Sequence, residues 1–368
     1  MSDVDLVFTG DLILDEPRPD HWLDGIAPCL RAANVAIGHV EVPYTRAAAR
    51  LRSDIAAPGA NPDHVPAMRR AGFHAVTLAG NHIADCGAEG IADTMAALDA
   101  AGIAHCGAGA DLEAARRPCL IESAGVRVAL LSYNCVGPEE GWATPSRAGC
   151  AHVRIDTEDG SAINPRAPLR TPDENSLAQM AADIRAARAA AQVVVVALHK
   201  GIVHTPAVLA PYERAVAHAA VDAGADVVIG HHAHILRGIE MYRGKPIFHG
   251  LGNGCVVTRA LSPDTEDPAR AEWARRRREI FGFTPDPAYY LAPFHPQAVN
   301  GMVGAVRLRA DGTQSAGFIP LHVDPPGRPR VCTDTESPQV MRYVQEITGI
   351  AGLPPLSLDY REGRAWIQ

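Results

Sequence analysis

Apolar, largely β-branched runs recur along the chain at 5–10, 35–42, 75–79, 126–133, 193–198, 227–229 and 246–251. They are continuous rather than alternating, the mark of strands covered on both faces. Ala-rich stretches at 90–101, 176–191 and 212–223 carry helical patterns between several of these strands. Strand and helix in alternation predict an α/β fold built in layers. Gly224, between Asp222 and Asp226, ends one helix and opens the next strand. From 302 to 309 and from 315 to 323, apolar and polar residues alternate around Asp311-Gly312, which reads as a hairpin.

Two stretches break the pattern. Residues 137–173 are rich in Pro, Gly, Thr and charge and predict a long loop near the site. Residues 262–300 are also irregular and hold four consecutive arginines, Arg275 to Arg278, between Trp273 and Phe281. The arginines read as a solvated helix face rather than a specific anion site. The stretch interrupts the chain just after a strand region, so it is expected over or beside the functional cleft, offering Tyr289, Tyr290, Phe294 and His295 as contacts. We therefore expect one domain over 1–325, with 262–300 inserted near its site, and a C-terminal extension over 326–368.

Composition narrows the function classes. With 368 residues the chain can bury a large core, and its net charge of −8 argues against non-specific nucleic-acid binding. The eight cysteines contain no CxxC pair and read as scattered reduced thiols. The first residues start a strand at once, with no basic leader and no long apolar span, so a soluble cytoplasmic protein without a membrane partner is expected.

The chemistry collects where the apolar runs end. Asp11 follows Phe8-Thr9-Gly10; Glu41 interrupts the run at 35–42, with His39 two residues before it and so on the same face of a strand; Asn81 and His82 follow Leu78-Ala79-Gly80, with Asp85 just beyond; His199 and Lys200 follow four valines, with His204 near; His231, His232 and His234 follow 225–229. Strand tips are where open α/β sheets place ligands. A buried carboxylate such as Glu41 must be paired or bound to a metal. Asp, Glu, Asn and His without Cys suit Mn, Zn or Fe, and six candidate ligands suggest two divalent ions sharing an acidic bridge. His232 and His234 are expected to share one side of an extended turn, with His231 pointing away into the core. Lys200, Arg237, His204 and His39 are the groups expected to meet a substrate.

These motifs, with the stretch from 224 to 253, resemble the capsule-synthesis CapA family, also known as the poly-γ-glutamate synthesis protein family, within the calcineurin-like metallophosphatase superfamily. The resemblance covers about Asp5 to Val323. It implies a two-layer mixed β-sandwich flanked by helices, with two metals at the strand ends. It implies Asp11 as the first-metal carboxylate, Glu41 as the bridging acid, Asn81 as a second-metal ligand, His199, His232 and His234 as imidazole ligands, and His82 as the catalytic group assisting the leaving group. Two positions depart from the pattern: Ile13 stands where the superfamily's phosphatases carry histidine, and Lys200 and Val203 stand where CapA proteins carry Trp and Glu. CapA proteins are typically membrane-anchored, whereas this sequence shows no anchor. The expected function is a metal-dependent hydrolase that cleaves a γ-glutamyl, other amide or phosphoester bond in a small molecule or short anionic polymer. The alternative is a non-catalytic accessory or binding protein in capsule-polymer biosynthesis. Assembly into a homo-oligomer is left open.

Overall fold

Along the strand Val193–His199 every residue is buried, and alternate side chains go to different places. Val193, Val195 and Ala197 join a cluster with Val4, Leu6, Phe8, Val35 and Ile37, whereas Val194, Val196 and Leu198 pack in a second cluster with Met180, Ile184, Val216 and Ala220. The first set faces another sheet and the second faces helices, which is why the apolar runs are unbroken. The computed structural model, which describes residues 3–51 and 57–368, is therefore a sandwich of two mixed sheets with helices outside.

In the first sheet Val4–Leu14, Val35–Val40, Ala75–Thr77 and Ala104–Cys106 run parallel in that order, and Asn253–Val257 also pairs parallel with the first of them. The hairpin Asn300–Leu308 and Gln314–Asp324 closes antiparallel on the other side of Val4–Leu14, with Gly312 in its turn at φ 85°. In the second sheet Val126–Asn134, Val193–His199, Val227–His231 and Lys245–Phe248 are parallel, flanked by antiparallel Cys119–Ser123 and Ile239–Tyr242. Phe8 and Phe248 meet between the sheets, with ring centroids 6.4 Å apart.

The helices Gly87–Ala100, Glu174–Ala190 and Pro211–Asp222 occupy the expected Ala-rich stretches. Segment 326–368 does not stand apart: Arg328–Val331 and Arg364–Ile367 both pair with Gln314–Asp324, extending the first sheet. No helix among the described residues is long and apolar enough to cross a membrane. The parallel strands of both sheets end at the same edge, and the chemistry lies there.

Candidate metal centre

Asp11 lies within the first strand rather than at its tip. Pairing with Val35–Val40 slips between Phe8 and Asp11, and pairing with Asn253–Val257 slips between Asp11 and Leu12. Such irregularities re-aim a side chain. Glu41 follows its strand by one residue, Asn81 and His82 come in the turn after Ala75–Thr77, and His199 and His231 are the last residues of theirs. His232 and His234 lie in the turn beyond, which is not extended: both are left-handed, at φ 85° and 53°, as is His204 at 55°. A non-glycine residue there is strained by about 1–3 kcal/mol and persists where the surroundings over-determine it.

Two sets of donor atoms converge. His199 Nε2 lies 2.7 Å from Asn81 Oδ1 and 3.1 Å from His232 Nδ1. His234 lies 3.0 Å from Glu41 Oε1 through Nε2 and 3.4 Å from Asp11 Oδ2 through Nδ1. Ligand atoms of Asp11, Glu41 and His234 all lie within 4.8 Å of one another, and so do those of Asp11, His39 and His199. Asp11 is thus common to both of these groups, where Glu41 is the expected bridge.

Two histidines sit differently from expectation. His39 is fully buried, with Nδ1 2.9 Å from the Thr77 hydroxyl, and it groups with Asp11 and His199, because His39 and Asp11 are register partners on adjacent strands. His231 does not point away. Its Nδ1 is 3.3 Å from Asp11 Oδ1 and its ring stacks on His39 at 4.5 Å between centroids. The preceding glycine in the Asn81 turn makes room: a Cβ on Gly80 would lie 3.1 Å from His39 Nε2.

The residues fit divalent cations by what they lack. Both oxygens of Asp11, Glu41 Oε2, His39 Nε2, His199 Nδ1, both ring nitrogens of His231 and His232 Nε2 are buried without a hydrogen bond. Each such group costs about 1–3 kcal/mol if nothing meets it. Burial holds His39, His231 and His232 neutral, pushing each down to about 3, and His199 also falls well below its ordinary value. Neutral imidazole is the ligand form. His234 differs: burial opposes its proton, but Glu41 and Asp11 outweigh burial and lift it to about 9. Burial and the neighbouring Glu41 push Asp11 up; on Glu41 the His234 cation outweighs burial and holds it down.

His82 stands beside this cluster, partly exposed, with Nδ1 2.6 Å from Asp85 Oδ2. The buried Asp85 also accepts the Ala57 N–H at 2.5 Å, which fixes the carboxylate that orients the ring. His82, Asn81, Glu41, His232, His234 and His204 line one cavity. Ile13 lines it too and presents an apolar wall there.

Lys200 and Arg237 do not reach that cavity. Lys200 is wholly buried, its Nζ donating to Glu213 Oε2 at 2.7 Å and to the His249 carbonyl at 3.1 Å. Arg237 is also buried, and its guanidinium donates to the Ile202 carbonyl. The residue after a strand end alternates away from the cleft, which turns Lys200 behind His199. Among the 262–300 residues named from sequence, Phe294 lines the cavity and stacks on His234 at 4.8 Å. Tyr289 and His295 line a neighbouring depression, and Tyr290 is exposed. Sequence reasoning missed Asn253, whose Oδ1 is 2.8 Å from His234 Nδ1. Its signal was its place after Gly252, at the start of the strand Asn253–Val257.

A family model described as bacterial capsule synthesis protein PGA_cap matches residues 5–256. The chain belongs to that family. It is 38% identical over 197 residues to a probable polyglutamine synthesis accessory protein of Mycobacterium tuberculosis, covering 52% of this chain and 48% of the relative. It is 28% identical over 249 residues to the capsule biosynthesis protein CapA of Bacillus anthracis, covering 66% and 55%. The chain thus spans about half the length of the curated relatives it matches. Among solved structures, a calcineurin-like phosphoesterase from Bacillus subtilis aligns over 95% of this chain and 98% of its own, at 11% identity and a TM-score of 0.39.

Proposed function

We propose that this PGA_cap family member is a dinuclear metal-dependent hydrolase that acts in the cytoplasm on a soluble anionic small molecule or short polymer. The observation that carries the reading is the crowd of unsatisfied buried donors around Asp11, opening on the cavity that also holds the His82–Asp85 pair. Two divalent ions, Mn, Zn or Fe, held by Asp11, Glu41, Asn81, His199, His232 and His234, with His39 in reach, would supply Lewis acidity and a water acidified toward neutrality.

The chain's own residues do the rest. Asp85 accepts the Nδ1 proton of His82 and fixes the ring, so the other ring nitrogen can deliver a proton to a leaving group. Apolar walls from Ile13, Val42, Leu261 and Phe294 exclude water around the reacting bond. The water-accessible volume of about 110 Å³ holds several waters or a small headgroup, so a polymer would enter by its end.

A second reading, a non-catalytic accessory protein in capsule-polymer synthesis, is favoured by the name of the Mycobacterium relative and by Ile13. One screen separates the two. Protein supplemented with Mn or Zn is assayed on phosphoester and γ-glutamyl panels. Turnover that His82→Ala reduces supports the hydrolase; no turnover on either panel from metal-loaded protein supports the accessory reading.

A further inference from the structure

The cavity has a second polar end, far from Asp11 in sequence. The arginine run that reads as a solvated face divides in the fold. Arg275 and Arg276 are exposed and pair with Glu272 at 3.3 Å and Glu279 at 3.0 Å. Arg277, at the start of the helix Arg277–Phe281, is only 2% exposed and lines the cavity. Its Nη1 donates to the Pro293 carbonyl, and its guanidinium lies over the Trp273 ring, 4.8 Å from the centroid. Its Nε and Nη2 are buried with no hydrogen-bond partner, and among the described residues no carboxylate lies within ion-pair distance of it. A second buried arginine, Arg270, lines the same cavity, its Nε donating to the Ala260 carbonyl at 2.8 Å. The charge of Arg270 opposes that of Arg277, which bears the cost of desolvation.

A continuous aromatic wall joins this end to the donor cluster. Trp273 meets Phe281 at 6.0 Å, Phe281 meets His204 edge-on at 4.7 Å, and His204 stacks on His234 at 5.5 Å. Asp15 also lines the cavity, but it is held by the Asn61 N–H at 3.2 Å and the Thr258 hydroxyl at 3.3 Å rather than by either arginine. A guanidinium with two donors free, fixed by packing, is suited to bidentate recognition of an oxyanion.

We propose that Arg277, with Arg270 beside it, is the specificity-determining anion site of the cavity: it takes a carboxylate or phosphate group of the substrate, remote from the bond that is cleaved. The substrate then lies along the aromatic wall, its reacting bond beside His82 and its anionic group on Arg277. The inference rests on reading the cavity as a hydrolytic site, but anion binding at Arg277 does not require metal.

The test is calorimetric titration of chelator-treated protein with glutarate and, separately, with inorganic phosphate. Wild type is compared with Arg277→Gln, Arg277→Lys and the exposed control Arg276→Gln. Wild type should bind at least one probe, and the tighter one tells carboxylate from phosphate. Arg277→Gln should weaken binding by about tenfold or more, the scale of a lost charged hydrogen bond. Arg277→Lys should recover part of the loss, and Arg276→Gln should stay within about twofold of wild type. Melting temperature gives an independent readout: removing an unpaired buried cation should leave Arg277→Gln as stable as wild type or more so. No binding of either probe at roughly 20 mM overturns the proposal, as does equal binding by Arg277→Gln. A variant that fails to fold assigns Arg277 to the core and overturns it as well. Failure of the hydrolysis screen with anion binding intact would remove the hydrolase reading alone.

Discussion

Two buried clusters of ionisable groups lie on either side of the His199–Lys200 peptide, and they are satisfied to opposite degrees. Behind it, Lys200 Nζ has Glu213 and the His249 carbonyl; His249 Nε2 meets Glu240 at 3.0 Å, and Arg214 closes on Glu240 at 2.6 Å. In front of it, Asp11, His39, His231 and His232 keep buried atoms that bond to nothing in the chain. Both clusters bear the desolvation of their charges. At Lys200, Glu213, His249 and Glu240 the first is complete and reads as part of the fold, although the nearby Arg237 keeps Nε and Nη1 without a hydrogen bond. The second is incomplete, and only something from outside the polypeptide would complete it. Charge and burial alone do not tell a site from a strut; the satisfaction of the individual atoms does.

The contrast is broken most strongly from behind. Lys200→Ala leaves the buried Glu213 carboxylate without its ion-pair partner, so denaturant unfolding should show a loss of about 3–5 kcal/mol, with metal content of the folded fraction unchanged. A drop in metal content at full stability would move Lys200 to the other cluster. Next in size, His82→Ala should keep its metal and slow turnover about 100-fold or more on a substrate found by the screen. Loss of metal instead would make His82 a ligand, and unchanged turnover would make it structural.

On the front cluster, Asp11→Asn in chelator-stripped protein should change stability by no more than about 1 kcal/mol, because the desolvation of a buried carboxylate with no hydrogen bond is removed together with its attraction to His234. The same change should lower metal content, as elemental analysis would read. A stability loss of several kcal/mol would show that the cluster is satisfied by the chain after all.

The most gradual effect is one of pH. Metal-free His234 is held protonated up to about 9, against an ordinary value of 6.5. A raised histidine value stabilises the fold fully below pH 6.5, and that contribution fades as pH rises through 9. Metal-free protein should therefore lose stability over that window, by up to about 1.4 kcal/mol per pH unit. Metal binding must displace the same proton, so apparent affinity should rise over the same window. Affinity flat with pH from 6.5 to 9 would mean that His234 is already neutral.

Much of this was legible from sequence because period and chemistry coincide. The unbroken valines of 193–196 announce a strand covered on both faces, and His199 marks its end. Glu41, Asn81, His199, His232 and His234 gather at or just beyond strand ends, and Asp11 reaches them from within its strand. What was not legible depended on register and on long-range packing. That His39 lies beside Asp11 follows from which residues pair across two strands, which spacing within one strand does not reveal. His231 turns toward Asp11 because it continues the strand face of Val227 and Ile229, which looks at the first sheet. The arginine run could not be divided into solvated Arg275 and buried Arg277 without knowing where the helix breaks, at Arg276.

The central claim is that the front cluster is finished by metal. Elemental analysis of protein purified without chelator, before and after supplementation with Mn or Zn, addresses it most directly. The account predicts close to two divalent ions per chain, about one for each converging set of donors. Less than about half an ion per chain after supplementation would contradict it.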